Sequence, residues 1–591
     1  MAQLRLEKLK TLAVDSHAYT VGAILLVLMG LSLFEPWLTS LQKDLLVDER
    51  LIRTIPASFD LCRAWLLIVA CLLVLFWKVL SKYPGIHVGK LEVLGLSFFA
   101  FFLVVSRTLQ YPYCVDDTYI YFRYIRNFAS HGIMEYNAGY PVLGFTSHLY
   151  IWILAGISWL LKIENLPLLA HNLGLALSFW NYFGILVLLV TMGVESAYAV
   201  MGSIMYSVSF YQISQVTYGM ESSLLVSLLL FLLLGIQAKR PPWIAAAAVG
   251  IFLCRPEGIF VLVLAFIYCC FKRGPNWLLP WLTLSFIVGV YFVWVFSVYG
   301  TIVPHTIAAK QSIYSLEPDA ALKGIAAFFT QSYLFGVPAL PAAISVMVGT
   351  LAIGAWFSRN EPSLLLYTGC CLVLIVFFSV SNPLMFTWYF SWFSLLPVLF
   401  YPVVISKSAS LFKRFRPIPV RICASIVVCW LGLTYLSYPR SPAASSRSDL
   451  ASPLFYWDSP RQRLILYEEA AKYLSGDSKG NSLVAVTEDG IFGYTYKGPI
   501  LTLDGLASKE ALNYYPLRKD EYFSPFAISP LLITTLKPQY VLFLDAFALN
   551  SILRDSLFLG EYKPERFWPL ELWGGKGMYI YRSRTMDKEH S

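Results

Sequence analysis

Apolar runs long enough to cross a bilayer recur along the chain, at about 19–38, 59–80, 91–109, 170–191, 220–237, 277–298, 337–357, 363–380, 384–406 and 419–438. Roughly 17–25 such residues suffice for one helical span. Shorter runs lie at 147–162, 195–213 and 241–271. The last is interrupted by Cys254-Arg-Pro-Glu-Gly258. Pro and Gly break a helix there, and Arg255 and Glu257 would each cost roughly 2.5–3.5 kcal/mol at the bilayer centre. The pattern therefore predicts two short helices that turn at one membrane face. In all, the periodicity predicts a polytopic α-helical membrane protein of about 11–14 spans, short or re-entrant helices included. From about Tyr438 the pattern changes. Pro442 to Pro453 reads as a linker, and Arg461 to Leu474 has helical periodicity. Ser482–Thr487, Pro499–Leu503, Gln539–Leu544 and Met578–Tyr581 read as strands. The expected organisation is thus 1–90 as N-terminal helices, 91–438 as a membrane domain with an external loop at 110–147, and 439–591 as an extracytoplasmic α/β domain.

Composition agrees with this pattern. Of 591 residues, 57% are hydrophobic and 14% charged, against about 25% charged in soluble chains. The net charge of +9 gathers in short loops between apolar runs, which argues against nucleic acid. The ten cysteines lie mostly in apolar runs, none follows Cys429, and their spacing matches no disulfide framework or metal motif. The first run lacks a small-residue cleavage site and reads as a retained span. Lys and Arg favour the cytoplasmic side. Lys78, Lys82, Lys90, Lys239-Arg240, Lys272-Arg273 and the group Lys413, Arg414 and Arg416 place the N-terminus inside. The same reading puts 110–147, the Arg255 turn, 299–322 and the C-terminal domain outside. Parity then requires 147–162 or 195–213 to be re-entrant. The first is favoured, being short and carrying Lys162 with Glu164 next to it.

Polar residues with chemical potential converge on that outer side. Asp116 and Asp117 follow a long apolar run; ionisable groups beside or within a bilayer usually mark function. One carboxylate would deprotonate a hydroxyl and the other would hold substrate or a cation, unless the pair merely caps a helix. Arg255 and Glu257 form either a mutual ion pair or a ligand contact. Lys310, in Thr301-Ile-Val-Pro-His-Thr-Ile-Ala-Ala-Lys310, is a mobile point charge suited to phosphate, or a plain interfacial lysine. His305 alone points weakly to function. Trp388 and Tyr389 fit an aromatic belt at a helix end. Glu488-Asp489 before Gly490, and Asp504 before Gly505, end neighbouring strands and either line a sugar site or form ordinary turns.

These residues, taken in order, resemble the GT-C glycosyltransferases. Asp116-Asp-Thr-Tyr-Ile-Tyr-Phe-Arg-Tyr124, Asn137-Ala-Gly139 and Gly144-Phe-Thr-Ser147 resemble the terminal arabinofuranosyltransferases of mycobacterial cell walls and the related pilin arabinosyltransferases. Gly219-Met-Glu221, Arg255-Pro-Glu-Gly258, Pro304-His-Thr306, Lys310, Trp388-Tyr389, Glu488-Asp-Gly490 and Asp504-Gly-Leu506 extend the resemblance. It implies an inverting transfer of a sugar, expected to be arabinofuranose, from a polyprenyl-monophosphate donor such as decaprenylphosphoryl arabinose. The acceptor would be a glycan or protein at the outer face of the bacterial inner membrane. Asp116 is the expected base, ahead of Asp117. Arg123, Thr146, Ser147, Glu221, Arg255, Glu257, His305, Lys310, Tyr389, Glu488 and Asp489 would contact donor or acceptor. Asp116, Asp117 and Glu221 offer hard oxygen ligands for the divalent cation (Mg, Mn or Ca) that such enzymes sometimes use. Beyond these substrates, membrane lipids are the expected partners. Alternatives are a mannosyl- or aminoarabinose transferase of the same superfamily, a transporter or flippase for a lipid-linked sugar, and a non-catalytic scaffold that binds glycan.

Overall fold

The structure, a computed structural model, describes residues 114–588 apart from 273, 315, 335–339, 358, 412–458, 478–480 and 519–525. The expected spans at 19–38, 59–80, 91–109 and 419–438 and the linker at 442–453 lie outside the described residues.

The helical part begins with α1 (Asp116–His131), α2 (His148–Leu161), α3 (Leu166–Thr191), α4 (Ser196–Val208), α5 (Phe210–Tyr218) and α6 (Ser222–Gln237). It continues with α7 (Pro241–Cys254), α8 (Ile259–Lys272), α9 (Pro275–Tyr299), α10 (His305–Ile313), α11 (Ala320–Leu334), α12 (Leu340–Phe357), α13 (Pro362–Ser381) and α14 (Leu395–Leu411). Among the described residues four segments are long and apolar enough to cross a membrane: Leu166–Thr191, Asn276–Tyr299, Pro362–Ser381 and Thr387–Ser408. A fifth is the bent pair Tyr211–Tyr218 and Ser222–Gln237, whose axes differ by 118°. The break falls at Gly219, in the left-handed region at φ +70°. A second break separates α7 from α8 at the predicted Arg255-Pro-Glu-Gly258, here a turn of 3-10 helix over Pro256–Gly258. The run 195–213 is itself divided, α4 ending and α5 beginning at Ser209, whose hydroxyl accepts from Gln212 N.

Much of the expected loop at 110–147 is helical. Residues 118–128 contain no Gly or Pro, and two aspartates in the first turn favour a helix start. Gly132, at φ +75°, ends α1 and returns its N–H to Phe128 O. Tyr119, Ile120, Phe122 and Ile125 are buried along it.

The C-terminal part is a five-stranded sheet with helices. α15 (Ser459–Asp477) precedes β1 (Val484–Val486), α16 (Gly490–Thr495), β2 (Ile500–Thr502), α17 (Pro530–Leu536), β3 (Tyr540–Leu544), α18 (Ser556–Glu561), β4 (Tyr562–Leu572) and β5 (Gly575–Ser583). The strand order is β2-β1-β3-β5-β4. β1 runs parallel to both β2 and β3, while β5 is antiparallel to β3 and β4. β2 therefore lies on one side of β1 and β3 on the other. Open α/β sheets bind ligands at the carboxyl ends of strands where the order reverses in this way. The carboxyl end of β1, at that reversal, carries Glu488-Asp489, and the neighbouring end of β2 carries Asp504.

The two parts meet where α16 lies on α1. Gly490 makes this approach possible, because a Cβ there would run into the Asp116 carbonyl oxygen. Gly493 does the same beneath the Tyr136 hydroxyl.

Candidate active site

Asp116 is 4% exposed, and both of its carboxylate oxygens are engaged. Oδ2 accepts from Gly490 N at 3.0 Å and Oδ1 from Ile491 N at 2.9 Å. The carboxylate caps the first turn of α16. Burial raises its pKa; Arg463 and the two amides oppose the rise, and Asp117 adds to it. Two turns along α1, Arg123 is also buried and spends all five N–H groups. Nε donates to Tyr136 O at 2.6 Å, Nη1 to Gly493 O at 2.5 Å and Tyr496 O at 2.7 Å, and Nη2 to Gly498 O at 2.9 Å and Asn137 Oδ1 at 3.1 Å. Arg126 adds a bond to Tyr494 O. Asp116, the expected base, and Arg123, an expected ligand contact, both hold α16 in this structure.

Asp117 is placed differently. It is half-buried, and among the described residues its carboxylate makes no hydrogen bond. Its charge acts on Asp489, Asp504 and Tyr121. Tyr121, one turn further along α1, bonds Thr146 and reaches Glu221 Oε2 at 3.4 Å. Glu221 sits at the α5–α6 break and binds Arg255 Nη1 at 2.7 Å. Arg255 in turn holds Glu257, from Nη2 at 3.1 Å and Nε at 3.4 Å. The two helix breaks are thus joined by ion pairs.

Tyr389 links this group to Lys310. The Arg255 guanidinium lies 4.4 Å from the centre of its ring and the Lys310 ammonium 6.0 Å from it. The ammonium also lies 4.8 Å from the Phe386 ring and 5.9 Å from Trp388. Cations are attracted to aromatic faces at such distances. Trp388 is buried, so this pair serves as a cation platform where a membrane belt was expected. Lys310 is half-buried, and among the described residues its ammonium makes no hydrogen bond or ion pair. It influences Asp504, which closes the circuit back to Asp117.

The C-terminal part supplies the remaining acids. Asp489 is 1% exposed, and its Oδ2 is buried with no hydrogen-bond partner among the described residues. Burial raises its pKa well above the carboxylate range, and Asp504, Asp116 and Asp117 raise it further. Asp504 Oδ1 accepts from Leu506 N at 3.1 Å. Its pKa is pushed up to about 8 by burial, with Asp117 adding to the rise and Lys310 opposing it. Glu488 is bound by Arg463, whose Nε lies 2.7 and 2.8 Å from its two oxygens. Burial still raises its pKa to about 7.

Other expected residues support the scaffold. Ser147 is buried against Cys254, and its Oγ lies 3.9 Å from the sulfur. His305 donates its backbone N–H to Leu143 O at 2.8 Å and bonds the backbone of Gly505 through its ring, while Nε2 has no partner among the described residues. Burial lowers its pKa. Arg255, expected on a phosphate, is already committed to two carboxylates, and Glu488 to Arg463. The three expected metal ligands do not fit a cation. Asp116 is spent on amides and Glu221 on Arg255, and among the described residues no group of three or more His, Cys, Asp or Glu is placed to hold a metal ion. Tyr121 was missed altogether, and Asp504 was read as lining a sugar site or as an ordinary turn, without its link to Asp117 and Lys310. For Asp504 a signal existed: it repeats the pattern of an acid and a glycine after a strand seen at Asp489.

Fold and site together define an α-helical membrane protein whose polar centre is shared with an α/β unit and combines buried acids with Lys310 on its aromatic platform. No protein-family model matches the sequence, and no curated protein matches it. Among solved structures, the cryo-EM structure of the arabinofuranosyltransferase AftD from Mycobacteria is similar at 11% identity and a TM-score of 0.40. The match covers 84% of this chain and 40% of that one, so this chain spans well under half the length of that structure.

Proposed function

We propose that this protein is an inverting glycosyltransferase that moves a sugar, arabinofuranose in the favoured reading, from a polyprenyl-monophosphate donor to a glycan or protein hydroxyl at the outer membrane face. One observation carries the reading. The half-buried Asp117 and Lys310, neither bonded among the described residues, both act electrostatically on Asp504. Asp117 takes the proton of the acceptor hydroxyl. The oxygen bonds to the anomeric carbon while the bond from that carbon to the phosphate oxygen breaks, and the electron pair leaves with the lipid phosphate. Lys310 faces that anion as a point charge. The phosphate departs already ionised, so no general acid is required.

The test is turnover of purified protein with a polyprenyl-phosphate arabinose donor and an oligosaccharide acceptor. General-base catalysis is typically worth about 10²–10⁴-fold. Asp117→Asn should lose at least about 10²-fold in turnover while its melting temperature and donor affinity hold. Wild-type turnover in that variant would remove Asp117 from the chemistry and the reading with it.

A further inference from the structure

Asp489 and Asp504 leave the fold an unsettled account. Both are buried at the carboxyl ends of adjacent parallel strands, 1% and 9% exposed. Buried polar atoms are nearly always hydrogen-bonded, and an exception calls for a reason. Asp489 Oδ2 is such an exception among the described residues. Asp504 uses Oδ1 on Leu506 N, and its Oδ2 makes no hydrogen bond among the described residues. The cations nearby do not answer them. Arg123 feels Asp489 but has no N–H left, and Lys310 acts on Asp504 without bonding it. Asp116 and Asp117 add further negative charge to both.

Two carboxyls so placed repel each other and cost stability. A ligand that donates hydrogen bonds would relieve that cost. Adjacent hydroxyls of a sugar ring each donate and accept, and each carboxyl here has a free oxygen to meet one of them. We propose that Asp489 and Asp504 form a subsite for a vicinal diol of a sugar ring, one carboxyl to each hydroxyl. The proposal rests on the transferase reading for its place in a reaction, and it names the chemistry of one wall of that site. The diol belongs either to the transferred sugar or to the acceptor sugar. Because α16 is held against α1 and Asp117 acts on both acids, the subsite lies beside Asp117, and the α/β unit takes part in the reaction.

The experiment uses the full-length protein in detergent, with Asp489→Asn and Asp504→Asn. Both substitutions keep size and remove the repulsion that arises once the acids ionise, so at pH 9 both variants should melt no lower than wild type. Methyl arabinofuranoside and methyl mannopyranoside, added separately, serve as probes. At least one should raise the wild-type melting temperature, and the rise should vanish in both variants. Leaving one hydroxyl of a buried diol unpaired corresponds to roughly 10–100-fold in affinity. The KM of one substrate should therefore rise at least about tenfold. A rise for the donor assigns the diol to the transferred sugar; a rise for the acceptor assigns it to the acceptor. Several results would overturn the subsite: no glycoside response in wild type, a response kept in the variants, or variants that melt well below wild type at pH 9. A wild type that binds glycoside through these residues yet transfers no sugar would keep the subsite and remove the transferase reading.

Discussion

Asp116→Asn separates holding from chemistry. The Asp116 carboxylate receives two buried amides, Gly490 N and Ile491 N, at 3.0 and 2.9 Å. A carboxamide offers one oxygen, so one amide keeps a partner and the other faces an NH2 group. A hydrogen bond to a charged group is worth about 1.5–3 kcal/mol, and a charge at a helix N-terminus adds about 0.3–1 kcal/mol. The expected loss is roughly 2–4 kcal/mol. For a unit near the size of the described C-terminal part this corresponds to a fall of roughly 6–15 °C in melting temperature. Scanning fluorimetry in detergent reads the fall, and limited proteolysis should show earlier cleavage within the sheet region. Turnover per folded molecule should drop less than for Asp117→Asn, because the base itself remains. An Asp116→Asn variant that melts like wild type but has lost at least about 10²-fold in turnover would refute this reasoning and return the base to Asp116.

Lys310→Ala should raise the KM for the polyprenyl-phosphate donor at least about tenfold and leave the acceptor KM alone; Lys310→Arg should recover part of the loss, and an unchanged donor KM would place the phosphate elsewhere. Stability should depend on pH in a set direction. Glu488 and Asp504 titrate at about 7 and about 8 in the folded protein, above ordinary carboxylates near 4, so between those values the folded state binds more protons and stability falls as pH rises. Melting temperature should decline from pH 5 to pH 9, with the decline above pH 7 flattened in Asp504→Asn; a rise across that range would contradict the burial of these acids.

The sequence made the strand ends visible and concealed what they meet. Alternation and apolar runs placed β1, β2 and β3 within a residue or two, because buried parallel strands read as short apolar stretches. β4 was invisible. It carries Pro564 and Pro569, which break the pattern expected of a strand. They are tolerated because β4 is an edge strand and its register shifts between Pro564 and Arg566 and again between Pro569 and Leu572. Asp116 looked like a base because two acids beside an apolar run are rare. Its partners lie more than 370 residues away, and no local pattern announces such a contact. Tyr389 looked like a membrane anchor for the same reason. Only the fold brings the guanidinium of Arg255 and the ammonium of Lys310 to its ring.

The contact between α1 and α16 explains why the site has the composition it does. Asp116 and Arg123 are seven residues apart, about two turns, on one face of α1, which spaces them by roughly 10 Å along the axis. The six residues of α16 rise about 9 Å. The acid meets the amides that begin α16, and the guanidinium meets the carbonyls that end it. Each charge has the sign that the helix end attracts; a reversed α16 would set carboxylate against carbonyls. The pairing therefore specifies the direction of α16, and with it the direction of β1 and β2 on either side. Their carboxyl ends, bearing Asp489 and Asp504, are carried to α1 at Asp117 rather than away from it. The first acid of the pair is buried to orient the sheet, so that the second can stand half-exposed beside the acids the sheet delivers.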